Sequence, residues 1–285
     1  MNTVGSDPKI CHIASLWTLS GYGDSNGEWT IEKKIDLIRE AGFDGFAGRV
    51  PQVTKELVHK HNLIFAAIVD IGEESDIEAE LRDIKEVGAA CVNVQMLDHD
   101  TPTEVAVPLA CKVMQVASKL DIDVGIEVHR DTCTETPEKT YALAEGYEQR
   151  ENRPLKITWD FSHPAVIKHI SPPYWDRLAE RVDLIQCASQ FHFRPFNGHH
   201  CQISALDHQG DFTPEFIDWL PFAEKVIEAW LETAKPNSRM YVCPEQGPPS
   251  YALSIFPDRW KDTQAIRDEI DKIWNRLLAG NITDL

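Results

Sequence analysis

The sequence predicts an α/β fold, an eight-stranded (β/α)₈ or TIM barrel, and three observations carry that reading. Apolar strand-like runs alternate with amphipathic helix-like runs, and eight such pairs fill 285 residues, close to the usual size of that barrel. The strand-like runs are continuously apolar rather than alternating, as for parallel strands covered on both faces. The last four runs end in polar, metal-competent side chains, and a barrel gathers the C-terminal ends of its strands at one face.

The elements follow in order. KICHIASLWTL (9–19) is the first strand and WTIEKKIDLIREAG (29–42) the first helix, with Ile31, Ile35, Leu37 and Ile38 at helical spacing. FDGFAGR (43–49), LIFAAIVDIG (63–72) and AACVNVQML (89–97) are the next three strands, and TKELVHKHN (54–62), SDIEAELRDIKEVG (75–88) and EVAVPLACKVMQVASKLD (104–121) the helices after them. The second half repeats the pattern. Strands are expected at DVGIEVHR (123–130), LKITWDFSH (155–163), DLIQCASQFHFR (183–194) and RMYVCPEQG (239–247). Helices are expected over 136–150, 174–182, 213–234 and 261–280. Gly42, Gly88 and Gly280 fall where a helix C-terminus favours a left-handed residue, and Ser75 and Thr213 stand as N-caps. An open doubly wound sheet would carry a glycine-rich GxGxxG first turn, and LWTLSGYGDSNGEW after the first strand has no such spacing. No composition shift marks a boundary, so residues 1–285 read as one barrel domain.

Composition narrows the function. The net charge of −18, from 28 basic and 46 acidic residues, argues against a nucleic-acid or anionic membrane surface. No run approaches the roughly 18 apolar residues of a membrane span, and the N-terminus lacks the features of a signal peptide. Seven cysteines without a CxxC pair suit reduced thiols and a cytoplasmic setting. A small neutral or cationic molecule is the expected partner, and a homo-oligomer is compatible with the sequence.

Four polar clusters end the last four strands: Glu127 with His129, Asp160 with His163, His192 with Arg194, and Glu245. Taken singly, each has an ordinary explanation. Glu127 could pair with an arginine, Asp160 could cap the following helix, His192 could be a satisfied core histidine, and Glu245 could lie on the surface. Together, at one end of one barrel, they point to a bound divalent cation, because buried carboxylates and imidazoles are costly unless paired or ligated. Oxygen donors with one imidazole suit manganese first, with magnesium, cobalt, zinc or iron as alternatives. Three histidines, His192, His199 and His200, compete for the imidazole position. Asn93 and Gln95 end the fourth strand two residues apart and would face the ligand as neutral hydrogen-bonding groups. Trp17, Trp159, Phe191 and Tyr251 could form an apolar wall.

The stretches GIEVHRD, WDFSH, FHFRPFNGHHCQ and PEQGPPSY, in this order and spacing, resemble the xylose isomerase-like barrel superfamily and its sugar phosphate isomerase/epimerase members. The resemblance runs over the whole barrel, with its specific motifs in the second half. It implies one divalent metal held by Glu127, Asp160, His192 and Glu245, with Glu127 and Glu245 also serving as acid and base. It implies that His163 and Arg194 contact sugar oxygens; His129, Asn93 and Gln95, read from their places at the strand ends, are further candidate substrate-binding groups. The implied activity is isomerisation or epimerisation of a ketose or related carbohydrate through an enediolate, which a metal chelating adjacent carbonyl and hydroxyl oxygens stabilises. A lyase acting on a keto-inositol or 3-keto-glycoside would use the same residues, and a non-catalytic sugar-binding subunit is the third option. A three-metal phosphodiesterase is not expected, since the early strands end in Arg49, Asn93 and Gln95 rather than histidine. Neither is a Schiff-base aldolase, because Lys156 sits at the wrong end of its strand.

Overall fold

In the computed structural model, which describes residues 6–283, eight parallel strands close into a barrel. They are β1 (Lys9–Ser15), β4 (Gly45–Gly48), β5 (Ile64–Ile71), β6 (Cys91–Met96), β7 (Asp123–Glu127), β8 (Ile157–Trp159), β9 (Gln190–His192) and β10 (Arg239–Cys243). Each pairs with its neighbour in the chain, and β1 closes the ring by pairing with both β4 and β10. Between β1 and the first helix the chain makes a small antiparallel hairpin, β2 (Gly23–Asp24) with β3 (Gly27–Glu28), which the apolar pattern did not signal.

The surrounding helices are α1 (Ile31–Glu40), α2 (Lys55–His61), α3 (Ile77–Val87), α4 (Thr103–Leu120), α5 (Pro137–Glu151), α6 (Ser162–Ile167), α7 (Trp175–Leu178), α8 (Val182–Gln186), α9 (Pro214–Leu231) and α10 (Arg259–Thr283). Threonines cap four of them. The side chains of Thr30, Thr54, Thr136 and Thr213 accept from Lys33, Leu57, Lys139 and Phe216 amides, satisfying donors that a helix start leaves unpaired. Gly42 and Gly88 take the left-handed conformation past α1 and α3, while Asn62, Asp121 and Asn152 do the same after α2, α4 and α5. Four expectations change. The helix expected over 174–182 shortens to α7 (Trp175–Leu178). Asp76, not Ser75, precedes α3. Gly280 lies inside α10, which runs on to Thr283. Residues 183–186, expected to open the seventh strand, fall in α8 (Val182–Gln186) instead, leaving a strand of only three residues. A short apolar run cannot be assigned by periodicity alone.

Strand alternation sorts the side chains. Phe46, Phe65, Val92, Val94, Ile126, Trp159, Phe191 and Val242 belong to the main core between barrel and helices. A second, smaller cluster of Ile13, Ala47, Ala66, Cys91 and Cys243 fills the lower barrel interior. Trp159 and Phe191 are therefore core residues, not the wall of a binding site. All seven cysteines are free thiols, and burial lifts Cys133 to about 12 and Cys187 to about 11. Among the described residues, no helix is long and apolar enough to cross a membrane.

Candidate active site

Above the small inner cluster, the strands switch to polar residues on the same inward register. Asn93 and Gln95 follow Cys91 on β6, Glu127 ends β7, Asp160 follows β8, His192 ends β9 with Arg194 two residues on, and Glu245 continues beyond Cys243 on β10. Gly125 allows this crowding: a Cβ there would sit 2.5 Å from Thr158 Oγ1 on the neighbouring strand. A cavity of about 590 Å³ opens onto the layer, lined by Asn93, Gln95, Glu127, His129, His192, Arg194 and Glu245 among others. This volume lies in the usual range of about 300–1,000 Å³ for small-molecule sites.

The ionisable groups form one network. His192 Nδ1 is 2.9 Å from Glu127 Oε1 and 3.7 Å from Glu245 Oε2. Asn93 Nδ2 donates to Glu127 Oε2 at 2.6 Å. Arg194 Nη2 donates to Asp160 Oδ2 at 2.8 Å and also to Glu245 Oε2. Asp160 Oδ1 accepts from the Ser162 amide at 2.9 Å and its hydroxyl at 2.5 Å, which ties the carboxylate to the first residue of α6. Burial by itself would push the Glu127 and Asp160 carboxyls up. The His192 imidazole more than reverses this at Glu127, and Arg194 and His163 do so at Asp160, so both sit below the usual carboxylate range. At His192 burial works against the proton, but Glu127 and Glu245 outweigh it and raise the imidazole to about 9.

One ligand atom from each of Glu127, Asp160 and His192 can be chosen so that all lie within 4.8 Å of one another. Donors on opposite sides of a cation at about 2.0–2.6 Å are roughly 4–5 Å apart, so this spacing fits one divalent ion. The charge also fits. Three carboxylates face one guanidinium, and with His192 bound as neutral imidazole a dication would balance the site. Glu245 stands outside the compact trio, held by Arg194. His199 and His200 are exposed, and both their amides bond Asn197 Oδ1, so His192 is the imidazole of this cluster.

His129 and Arg194 line the cavity as expected, but His163 does not. It is fully buried, with Nε2 3.3 Å from Asp160 Oδ2 and its ring centroid 4.0 Å from that of His129. Burial lowers it to about 4. It supports Asp160 and His129 rather than reaching a ligand, because the short α6 carries it behind the carboxylate. Of the four aromatic candidates, Trp17 and Tyr251 reach the cavity, in edge contact at 4.9 Å between centroids. Gly247 makes room for them, since a Cβ there would meet the Trp17 ring at 2.4 Å. At Gly198, likewise, a Cβ would sit 2.6 Å from the Ile170 carbonyl oxygen. Lys34 and Glu28, ion-paired to each other, and Arg49 also line the cavity and had no distinguishing signal in the sequence. Lys34 looks like any lysine of an amphipathic helix, yet it is buried.

No family model matches the chain, and no curated protein matches it. Solved structures do, over nearly their whole length. A xylose isomerase-like TIM barrel protein from Mycobacterium smegmatis, in complex with magnesium, is 13% identical with a TM-score of 0.59, covering 93% of this chain and 97% of that one. A D-allulose 3-epimerase from Methylomonas sp., in complex with D-allulose, is 13% identical with a TM-score of 0.56 over 95% and 99%. A probable 3-DHS dehydratase from Bacillus anthracis is 14% identical with a TM-score of 0.55 over 92% and 97%. The chain therefore shares the barrel fold of xylose isomerase-like proteins, sugar epimerases and a dehydratase.

Proposed function

We propose that this protein is a divalent-metal-dependent isomerase or epimerase of a ketose or related carbohydrate, belonging with the xylose isomerase-like sugar isomerases and epimerases. The observation that carries this reading is the convergence of Glu127, Asp160 and His192, from three successive strand ends, on one point beside a cavity of about 590 Å³. These three residues would hold the cation, with Glu245 as the fourth ligand once it turns from Arg194. Manganese or magnesium suits the oxygen-rich set best. A bound divalent cation would polarise a carbonyl and the hydroxyl on the neighbouring carbon, acidifying the proton on that carbon.

The chain's own residues supply the rest. Glu127, to which Asn93 donates, is a carboxylate that would take the proton once His192 is bound as neutral imidazole. Glu245 is the second carboxyl group of the site; once released by Arg194 and carrying a proton taken from solvent, it would return that proton to the substrate carbon while Glu127 keeps the one it removed. Asn93, Gln95 and His129 offer hydrogen-bonding groups to sugar hydroxyls, and Trp17 gives an apolar face to a ring. His163 acts as a positioning residue behind Asp160.

The test is incubation of manganese-loaded protein with a panel of ketoses and keto-sugars in D₂O, read by NMR. Deuterium at the carbon beside the carbonyl, with the formula unchanged, is expected. Loss of water or of an aglycone would replace this reading with a lyase. Ligand binding without turnover across the panel would make the protein a sugar-binding subunit.

A further inference from the structure

The main cavity has a neighbour at the barrel mouth. A second cavity of about 480 Å³ adjoins it, and Gln95 and His129 line both. Two side-chain pairs straddle the boundary. Arg49, on the inner cavity, forms a two-pronged ion pair at 2.8 and 2.9 Å with Asp70, on the outer one. Arg130, on the outer cavity, lies over the ring of Tyr251, on the inner one, 4.6 Å from its centroid. These four groups, with Gln95 and His129, form a neck between two chambers. The Arg49–Asp70 pair is half-exposed to exposed, and such pairs hold a structure only weakly, so the neck can part around a ligand.

Each chamber alone lies within the range of about 300–1,000 Å³ that holds a small molecule. A single monosaccharide over Glu127 and His192 would leave the outer chamber empty. Its wall carries the carboxylates of Asp70, Glu73, Asp98 and Asp131 against two guanidinia, that of Arg130 and that of Arg49, which pairs with Asp70. Carboxylates accept several hydroxyl donors each, and this excess of negative charge repels a phosphate. We propose that the substrate is a glycoside of two units. The reacting unit occupies the inner chamber against Glu127 and His192, and a second, uncharged and hydroxyl-rich unit occupies the outer chamber. This rests on the carbohydrate reading of the inner site.

Gly72 offers a clean test. It lines the outer chamber just beyond β5, a Cβ there would meet nothing within 4 Å, and its φ lies outside the left-handed region. Gly72→Phe therefore fills the outer chamber without disturbing the inner one. Manganese-loaded protein and variant are titrated with D-fructose and with the fructose-containing disaccharides palatinose, maltulose and lactulose, and binding is followed by saturation-transfer NMR. At least one disaccharide is expected to bind the parent protein at least tenfold more tightly than D-fructose. Gly72→Phe should bring that disaccharide to the fructose affinity and leave fructose unchanged. Equal affinities across the panel, or a variant that weakens neither or both alike, would overturn the two-chamber assignment. If no sugar, fructose included, binds the parent protein, the carbohydrate reading itself falls and takes this inference with it. Should Gly72→Phe fail to fold, Glu73→Trp, at an exposed position on the same chamber, takes its place with the same outcomes.

Discussion

Replacing Arg194 with methionine removes the guanidinium that Asp160 and Glu245 share. Arg194 is 2% exposed and Asp160 is wholly buried, so water cannot take over the lost interaction. Removing one partner of a buried ion pair typically costs about 3–5 kcal/mol, because the remaining charge is left uncompensated. Unfolding entropy near 60 °C is about 2.1 cal/mol/K per residue, or roughly 0.6 kcal/mol/K for this 285-residue chain, which converts that loss into about 5–8 °C of melting temperature. The loss should be largest in chelator. A dication among Glu127, Asp160 and His192 supplies the positive charge that Arg194 provided, so manganese should raise the melting temperature of the variant more than that of the parent. Saturation at about 1,000 times the dissociation constant stabilises by about 4 kcal/mol, enough to see in a thermal scan. The assay is thermal unfolding followed by circular dichroism, with chelator and with added manganese. A variant melting within about 2 °C of the parent in chelator would refute the buried-pair argument. A variant gaining no more than the parent from manganese would refute the charge balance proposed for the metal.

Three further outcomes follow from the same geometry. Asp160→Ala should lose at least about tenfold in metal content on protein purified without chelator, and equal metal in both proteins would remove Asp160 from the ligand set. Glu127→Gln and Glu245→Gln keep an oxygen donor but cannot accept a proton, so turnover should fall by about 10²–10⁴-fold, far more than metal affinity; a variant active within about tenfold of the parent, metal bound, would shift the base role elsewhere, His129 being the cavity-lining candidate. Away from the site, burial raises Asp262 from 3.8 to about 6, although the Ser204 hydroxyl and Leu206 amide donate to it at 2.7 and 3.0 Å. The folded protein therefore holds this proton more tightly than the unfolded chain. Its contribution is full below about pH 4 and is lost as the pH rises through 6, a change of about 3 kcal/mol. Denaturant titrations should show Asp262→Asn gaining on the parent by about that amount between pH 4 and 7, and parallel pH curves would contradict it.

Much of the barrel and its site can be read along the chain because both rest on local periodicities. Strand alternation puts Asn93 with Gln95, and His192 with Arg194, on one inward face, and barrel closure brings the ends of β7, β8, β9 and β10 together wherever their sequence neighbours lie. Glu127, Asp160, His192 and Glu245 could be named from that pattern alone. The choice among the three histidines also follows from register: His192 continues the inward face of Gln190, whereas His199 and His200 fall in an exposed loop.

What the sequence could not supply depends on groups far apart in the chain. Arg194 reads as a sugar-binding residue, and only the fold shows that it also sits between Asp160 and Glu245, 34 and 51 residues away. His163 reads as a ligand-facing group until α6 turns it behind Asp160. Lys34 sits on a helix with a normal polar pattern, yet it is buried beside the cavity through its pairing with Glu28 from the small hairpin. Apolar patterning records which face of an element is covered, because each residue's burial repeats with the local period. The partner of a charged side chain is not periodic. Closure of the barrel and the path of each loop decide it, and here they turned a series of polar strand ends into one coupled network with a second chamber above it.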